Sequence, residues 1–340
     1  MGKTFKILTI DGGGIKGLYS AQVLAKFEEI FKTNISDHFD LICGTSTGGI
    51  IALAASAKIP MSNVVKLYDN DGPKIFTQWF KHRLPICGSN PGNFLLTLKQ
   101  SLFCSKYSGK HLKNALEREF KNMTLAESKN LLCIPAYNIT TSTPRVFKKD
   151  YGTLTEDSSK TYVEVALATA AAPTYLPVRM INDNEYVDGG LWANDPTLVG
   201  LTEFMFKILK PKQERTEDDY DKVEILSISS CEKNGGEAPK CKSRSFLRWS
   251  NTLFDIYSHG QAFSNRVFLS KLKPFLDFDL NITRVVNKPL SAEQDSYIDL
   301  DNASNKSRQL LRGIGKETAA NYKENDKIRM FFTENKTYIV

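Results

Sequence analysis

Short apolar runs alternate with helix-type spacing of apolar residues along the first sixty positions. Residues 6–10 and 39–43 are rich in aliphatic side chains and lead into glycine turns, which predicts two buried strands. Helical spacing covers residues 19–31, and a small, apolar helix is predicted over 50–57. The repeated order strand, glycine turn, helix predicts parallel strands with helices covering the sheet.

The rest of the chain continues this pattern less regularly. A helix is predicted over 163–172, where Pro173 ends it, and the last hundred residues are predicted to be mostly helical, with 251–269 the strongest helix. Polar loops are expected at 153–160, 211–221 and 234–245, and no linker divides the chain into independent domains. Further strands are predicted at 131–138, 145–149, 186–188 and 223–229.

Residues 75–102 have a different composition. Aromatic side chains are interleaved with Lys, Arg and His and are broken by Pro and Gly. This mixture fits a flexible lid or a surface that touches a membrane. The alternative interpretation is an irregular segment that packs on the protein and leaves its basic side chains in solvent.

Charge and cysteine usage narrow the class of protein. The net charge is +7 with a pI near 8.9, which suits an anionic partner such as membrane headgroups or nucleotides, or serves solubility alone. Dispersed Lys and Arg argue against DNA binding. No apolar run approaches a membrane span or a secretory signal, so we expect a cytoplasmic protein. Six cysteines without a Cys-x-x-Cys pair argue against a zinc site or a disulfide framework.

The first glycine turn follows the first predicted strand. Gly12, Gly14 and Gly17 have the spacing G-x-G-x-x-G of dinucleotide-binding loops. Backbone N–H groups at such a helix start attract negative charge, either a pyrophosphate or an oxyanion formed during a reaction. A nucleotide fold needs an acidic residue at the end of the next strand, whereas Asp40 lies at its start. A non-catalytic nucleotide-binding module that uses Gly12–Gly17 is kept as an alternative.

The second glycine turn contains a candidate nucleophile. Gly44-Thr45-Ser46-Thr47-Gly48 is a G-x-S-x-G sequence between a strand and a helix, the context of a nucleophile elbow. The glycines allow a sharp turn that exposes the serine hydroxyl at a helix start. The alternative is a tight turn in which Ser46 caps the helix.

A serine nucleophile needs a base, and two residues are candidates. His259 follows Asp188 in the chain order of a Ser-His-Asp esterase, although it lies in helical sequence. Asp188 begins an Asp-Gly-Gly turn with Gly189 and Gly190, and we expect it to end a parallel strand on the rim that carries the two glycine turns. A water-poor site would raise its basicity enough to accept the Ser46 proton.

Together and in this order, the three motifs resemble those of the patatin-like phospholipases, which act through a Ser–Asp dyad. Residues 168–177 are also similar to the Ala-Ala-Pro-Thr-Tyr-Phe-Pro stretch of that family. The resemblance covers residues 5–200 and, more loosely, up to 230. The last hundred residues match no motif of the family.

The resemblance implies an α/β fold, a three-layer α/β/α sandwich with a mostly parallel central sheet. Residues 1–230 would form the catalytic domain, and 231–340 a helical extension packed on the same domain. The implied activity is that of a phospholipase A-type serine acyl hydrolase without metal or cofactor; acyl transfer is a further alternative. Ser46 would be the nucleophile, Asp188 the general base, and the N–H groups of Gly12, Gly13 and Gly14 the oxyanion hole. The supporting motif glycines are Gly17, Gly44, Gly48, Gly189 and Gly190.

The chain also resembles patatin-like effectors of antiphage systems, in which a cyclic oligonucleotide switches on phospholipid hydrolysis. This implies a cytoplasmic protein, peripheral at the inner membrane when active, with membrane phospholipids and a cyclic di- or trinucleotide as partners and no DNA. The basic residues proposed to hold the nucleotide are 240–248, Arg266, Lys271 and Lys273. A homo-oligomer is compatible with the sequence.

Overall fold

The computed structural model describes residues 2–76, 105–233 and 246–338, with side chains in the last range from residue 256 onward. Most of the aromatic and basic segment at 75–102, the loop at 234–245 and, within the basic stretch 240–248, residues 240–245 and the side chains of 246–248 lie outside the described part of the chain. The interpretations given for them stay predictions.

Within the described residues, eight strands form one sheet, in which the pairings run β5 with β6, β6 with β3, β3 with β2, β2 with β1, β1 with β7 and β7 with β8, and β4 pairs with β3. Strands β1, β2, β3, β7 and β8 are parallel, while β4 and β6 are antiparallel to β3. The strands are β1 (Lys3–Ile10), β2 (Leu41–Gly44), β3 (Leu131–Asn138), β4 (Thr143–Lys148), β5 (Arg179–Ile181), β6 (Asn184–Asp188), β7 (Tyr220–Ile228) and β8 (Asp279–Val285).

Helices lie on both faces of this sheet. The α-helices of the described ranges are α1 (Gly17–Phe31), α2 (Thr47–Ser56), α3 (Met61–Ile75), α4 (Lys110–Phe120), α5 (Tyr162–Thr169), α6 (Gly190–Ala193), α7 (Thr197–Glu203), α8 (Phe246–Leu272), α9 (Ala292–Tyr297), α10 (Asn305–Tyr322) and α11 (Asp326–Phe331). A π-helical turn, Phe204–Ile208, follows α7. None of the described helices is long and apolar enough to cross a bilayer.

Two hydrophobic cores separate the sheet from its helices. Successive residues of a strand point to opposite faces, so Leu8 and Ile42 face α1–α5, α10 and α11, while Ile7 and Leu41 face α7, the π-helical turn and α8. Because both faces are covered, β1, β2 and β3 are buried over most of their length rather than at alternate positions. The expected three-layer α/β/α sandwich with a mostly parallel sheet is confirmed.

The predicted elements are recovered with small shifts at their ends, and the C-terminal region is largely helical, as expected, but it also contains a strand that was not predicted. Strand β8 pairs in parallel with β7 over seven residues and so extends the central sheet. Helix α10 packs on α1 across the sheet face. The C-terminal region therefore contributes both a strand and a helical cover to the architecture that carries the N-terminal motifs.

Candidate active site

The neighbours of β3 bring two distant turns together. Cys133 of β3 pairs with β2 on one edge and β4 on the other, and Ala136 pairs with β6 on one edge and β4 on the other. Strands β2 and β6 therefore share one edge of β3. Since β2 runs parallel and β6 antiparallel to β3, they run toward each other. Their C-terminal ends, Gly44 and Asp188, meet near the middle of β3.

This arrangement corrects one expectation. Asp188 was expected at the end of a parallel strand, but β6 is antiparallel. Asp188 still lies beside the glycine turns, because the C-terminal end of β6 meets the C-terminal end of β2 along the same edge of β3. Ser46 and Asp188 lie next to each other, as predicted. The prediction that β6 is a parallel strand is wrong.

Ser46 lies at a sharp turn between β2 and α2. Its backbone has φ 55° and ψ −125°, a strained conformation for a residue with a side chain. A Cβ on Gly44 would lie 2.1 Å from the carbonyl oxygen of Gly48, and a Cβ on Gly48 would lie 2.3 Å from that of Ile10. Only glycine fits at either position. The Ser46 side chain makes no helix-capping hydrogen bond, so the alternative of a capping serine is wrong.

The hydroxyl of Ser46 donates instead to Asp188. The distance from Ser46 Oγ to Asp188 Oδ2 is 2.6 Å, and the backbone N–H of Gly190 donates to Asp188 Oδ1 at 2.7 Å. Asp188 is fully buried, and burial raises its pKa to about 7, even though both hydrogen bonds act in the opposite direction. A carboxylate with this pKa is a far better proton acceptor near neutral pH than an exposed aspartate.

The end of α5 holds both members of this pair. Thr169 Oγ1 accepts the N–H of Ser46 at 2.9 Å and donates to the carbonyl of Pro135 in β3. Two residues later, the carbonyl of Ala171 accepts the N–H of Asp188 at 3.0 Å. Both contacts belong to the Ala-rich stretch that resembles the family motif. They give that stretch a structural reason, which the sequence alone did not supply.

The glycine loop after β1 borders Ser46. The N–H of Gly12 donates to the carbonyl of Asn194 at 3.0 Å, so it is occupied and is a poor candidate for the oxyanion hole. Among the described residues, none accepts the N–H of Gly13 or Gly14. Gly14 has φ +58°, and a Cβ there would lie 2.1 Å from the carbonyl oxygen of Leu300.

The anchor of this loop is a buried arginine that the sequence analysis missed. Arg284 of β8 donates to Asp11, next to Gly12, and to Asp195, next to Asn194. Burial opposes the charge of Arg284, but Asp11 and Asp195 hold its pKa well above the usual range. The guanidinium therefore fixes both sides of the Gly12–Asn194 contact. Its two aspartates lie 273 and 89 residues away along the chain, which no local pattern reveals.

Ser46 lies in the wall of a cavity whose volume, together with the open solvent at its mouth, is about 810 Å³. Gly12 and Asn194 line it close to the serine, and Gly13, Gly14 and Lys16 belong to the same wall. The remaining wall is predominantly apolar. It includes Ile50, Leu67, Tyr68, Ile75, Phe76, Leu112, Ala170, Ala172, Tyr175 and Leu176.

His259 lines the same cavity but is not part of the Ser46–Asp188 pair. In the described part of the chain no hydrogen bond involves its ring, and burial and then Lys16 lower its pKa. Since Ser46 donates directly to Asp188, no imidazole lies between them as a Ser-His-Asp esterase requires.

The nucleotide-binding alternative also lacks its acidic residue. Asp40 lies at the opposite end of the sheet and accepts N–H bonds from Lys6, Thr337 and Tyr338. It is a buried structural carboxylate, remote from the glycine loop. Of the basic residues proposed for a nucleotide, Arg266 pairs with Glu232 and Lys273 lies beside Asp279.

Comparison with known proteins identifies the class. Residues 8–201 match the model of the patatin-like phospholipase family, and the chain belongs to that family. It is therefore a lipid-hydrolysing enzyme.

Three individual proteins to which the chain is similar carry phospholipase or patatin-like names. The chain is similar to a cGAMP-activated phospholipase of Pseudomonas aeruginosa, with 35% identity over 77% of this chain and 73% of the relative. A cGAMP-activated phospholipase of Escherichia coli is 29% identical over 96% of this chain and 92% of that protein. Patatin-like protein 1 of Oryza sativa subsp. indica is 25% identical over 94% of this chain and 82% of that protein.

Proposed function

We propose that this enzyme hydrolyses ester bonds of membrane phospholipids through Ser46 and Asp188. The single observation that carries the proposal is the 2.6 Å hydrogen bond to a buried carboxylate from the strained Ser46, which lines a mostly apolar cavity. The hydroxyl attacks the ester carbonyl while Asp188 accepts its proton. Asp188 then returns that proton to the departing alcohol, which leaves an acyl group on Ser46.

Water completes the cycle. Asp188 accepts a proton from a water molecule that attacks the acyl-enzyme, and the fatty acid leaves as the proton returns to Ser46. Both steps pass through a tetrahedral oxyanion beside the glycine loop. The proposed donors are the N–H groups of Gly13 and Gly14, since that of Gly12 is engaged by Asn194. Removal of one such donor typically lowers kcat by about 10²–10³.

The cavity supports a long acyl chain as the group that Ser46 receives. Its wall beyond the serine is mostly aliphatic and aromatic, and such surface favours a hydrocarbon chain by about 25 cal/mol for each square ångström removed from water. Ser46 and Asn194 supply polar groups beside the place where the ester would lie.

A cyclic dinucleotide is the proposed activator. The support comes from the two bacterial relatives, whose names state activation by cGAMP and which match most of this chain. In this proposal the protein works in the cytoplasm and binds the inner membrane peripherally when the activator is present.

Covalent trapping tests the proposed nucleophile. An alkyl fluorophosphonate should add to Ser46 of the wild-type chain, with the mass increase located on the peptide that contains residue 46. Ser46→Ala should not be labelled, and Asp188→Asn should be labelled far more slowly because the hydroxyl lacks its proton acceptor. Labelling of another residue at the wild-type rate in Ser46→Ala would contradict the proposed dyad. Repeating the wild-type reaction with and without cGAMP tests the activator.

A further inference from the structure

A second cavity adjoins the catalytic one through two shared side chains. Leu112 of α4 and Leu176 line both spaces, so the leucines form a partition between them. The second cavity opens to solvent, and together with the solvent at its opening its volume is about 620 Å³. Its cations are Lys110 and Lys113 of α4 and Arg179 of β5.

These three cations have little negative charge around them. No acidic side chain lines the cavity among the described residues. Lys113 pairs with Glu117 at 3.5 Å, with both side chains about half exposed. In the described part of the chain neither Lys110 nor Arg179 forms an ion pair, and the buried Nε of Arg179 has no hydrogen-bond partner.

The two lysines also lie where the local structure disfavours them. Helix α4 begins at Lys110, and its first turn contains no acidic residue. The start of a helix carries partial positive charge, which attracts acidic side chains and repels lysines. Charges placed against a local preference are expected at functional sites.

We propose that this cavity, lined by Lys110, Lys113 and Arg179, binds the phosphate of an anionic membrane lipid and so docks the enzyme next to its catalytic cavity. This inference rests on the proposed phospholipid substrate. Val178, which lines the same cavity and is 46% exposed, places aliphatic surface next to the cations. Apolar side chains beside cations are the combination that binds the interface of an anionic bilayer.

The expected contribution of the three cations to membrane binding follows from their charges. Each Lys or Arg near an anionic leaflet strengthens binding roughly fivefold, so removal of all three should weaken it on the order of a hundredfold. Zwitterionic vesicles should bind poorly and show little effect of the substitutions.

Vesicle co-sedimentation in a Ser46→Ala background tests the proposal without hydrolysis of the lipid. The probes are phosphatidylcholine vesicles with and without phosphatidylglycerol. The test variant carries Lys110→Gln, Lys113→Gln and Arg179→Gln. The matched control carries Lys129→Gln, Lys212→Gln and Lys327→Gln, which remove the same net charge at exposed sites elsewhere. Because Arg179 is partly buried, a Lys110→Gln/Lys113→Gln pair provides a second test variant with only exposed substitutions.

The proposal predicts that the test variants lose binding to phosphatidylglycerol vesicles and that the control triple keeps most of it. Equal binding by the test and control triples would overturn the docking site. Full displacement by millimolar inorganic phosphate would overturn the membrane as its ligand and assign a free phosphate instead. Sedimentation does not need turnover, so loss of docking and failure of the proposed hydrolysis are separate results.

Discussion

The two ends of the sheet each bury a carboxylate, and the two carboxylates have different surroundings. At the carboxyl end, Asp188 accepts one backbone N–H, from Gly190, and the hydroxyl of Ser46. At the amino end, Asp40 accepts three backbone N–H bonds. Burial raises the pKa of both groups. The difference lies in the partners, because only Asp188 is bonded to a group that can react.

This comparison shows what distinguishes the carboxylate proposed as the general base from a structural carboxylate in the same fold. The partners of Asp40 join β1 to the C-terminal segment, so its charge holds two parts of the chain together. Asp188 instead accepts the hydroxyl of Ser46, the proposed nucleophile, in the wall of a cavity. Burial and a raised pKa alone therefore do not identify the functional group.

The largest expected effect separates these two residues. Asp188→Asn should lower kcat/KM for phospholipid by at least about 10⁴, because the nucleophile loses its base. Asp40→Asn should change kcat/KM only a few-fold but lower stability by about 2 kcal/mol, because the amide cannot accept all three N–H bonds. Steady-state kinetics and thermal melts on both variants check this contrast. Equal losses of activity in Asp188→Asn and Asp40→Asn would contradict the assignment of different roles to the two carboxylates.

The thermal stability of the Asp188→Asn variant tests the raised pKa of Asp188 independently of activity. A carboxyl group whose pKa is about 7 in the folded state and about 3.9 when unfolded makes the fold less stable as pH rises from 4 to 7. Asp188→Asn removes that cost, so its Tm should exceed the wild-type value at pH 8. The gain should disappear below pH 4. A lower Tm at pH 8 would mean that the charge of Asp188 stabilises the fold.

The next largest effect tests the glycine loop. Gly14→Ala should lower kcat by about 10²–10³, because its Cβ meets the carbonyl of Leu300 and displaces a proposed oxyanion donor. Gly152→Ala is the matched control, since Gly152 has the same φ of +58° and no atom within 4 Å of its Cβ position. The control should show a small loss of stability and wild-type kcat. Similar kcat values for the two variants would argue against the loop as an oxyanion hole.

The pH dependence of activity should report Asp188 directly. The carboxylate must be ionised to accept a proton, so kcat/KM should rise with pH and level off above about 7. Below that point it should fall tenfold for each pH unit. Rates measured on a dispersed short-chain ester avoid changes in vesicle charge. A profile that stays flat from pH 5 to 8 would exclude Asp188 as the base.

The smallest expected effect concerns His259. His259→Ala should change kcat no more than a few-fold, because Ser46 and Asp188 contact each other without it. Its position in the cavity wall makes a modest change in KM the expected result. A loss of kcat as large as that of Asp188→Asn would restore a histidine-dependent mechanism.

The motifs could be read from the sequence because each depends on local backbone geometry. The turn around Ser46 requires glycine at positions 44 and 48, and the loop after β1 requires it at position 14, so residue identity reveals conformation. The parallel core was equally predictable from its apolar strands. By contrast, the direction of β6 is set by its pairing with β3, which no local signal encodes.

The missed features depend on distant contacts. Strand β8 has the half-buried pattern of an edge strand and contains a charged residue, Arg284, so its sequence does not stand out. Thr169 is one residue in an Ala-rich helix, and its bond to Ser46 spans 123 positions. The occupied N–H of Gly12 likewise depends on Asn194, which sequence spacing could not place.

Fatty-acid release from phospholipid vesicles by the wild-type chain and by Ser46→Ala, with and without cGAMP, tests the central claim most directly. The proposed dyad predicts release by the wild type that increases with cGAMP and is absent from Ser46→Ala under both conditions. Release by Ser46→Ala at the wild-type rate would contradict the assignment of the nucleophile. No release by folded wild type in any condition would contradict phospholipid as the substrate.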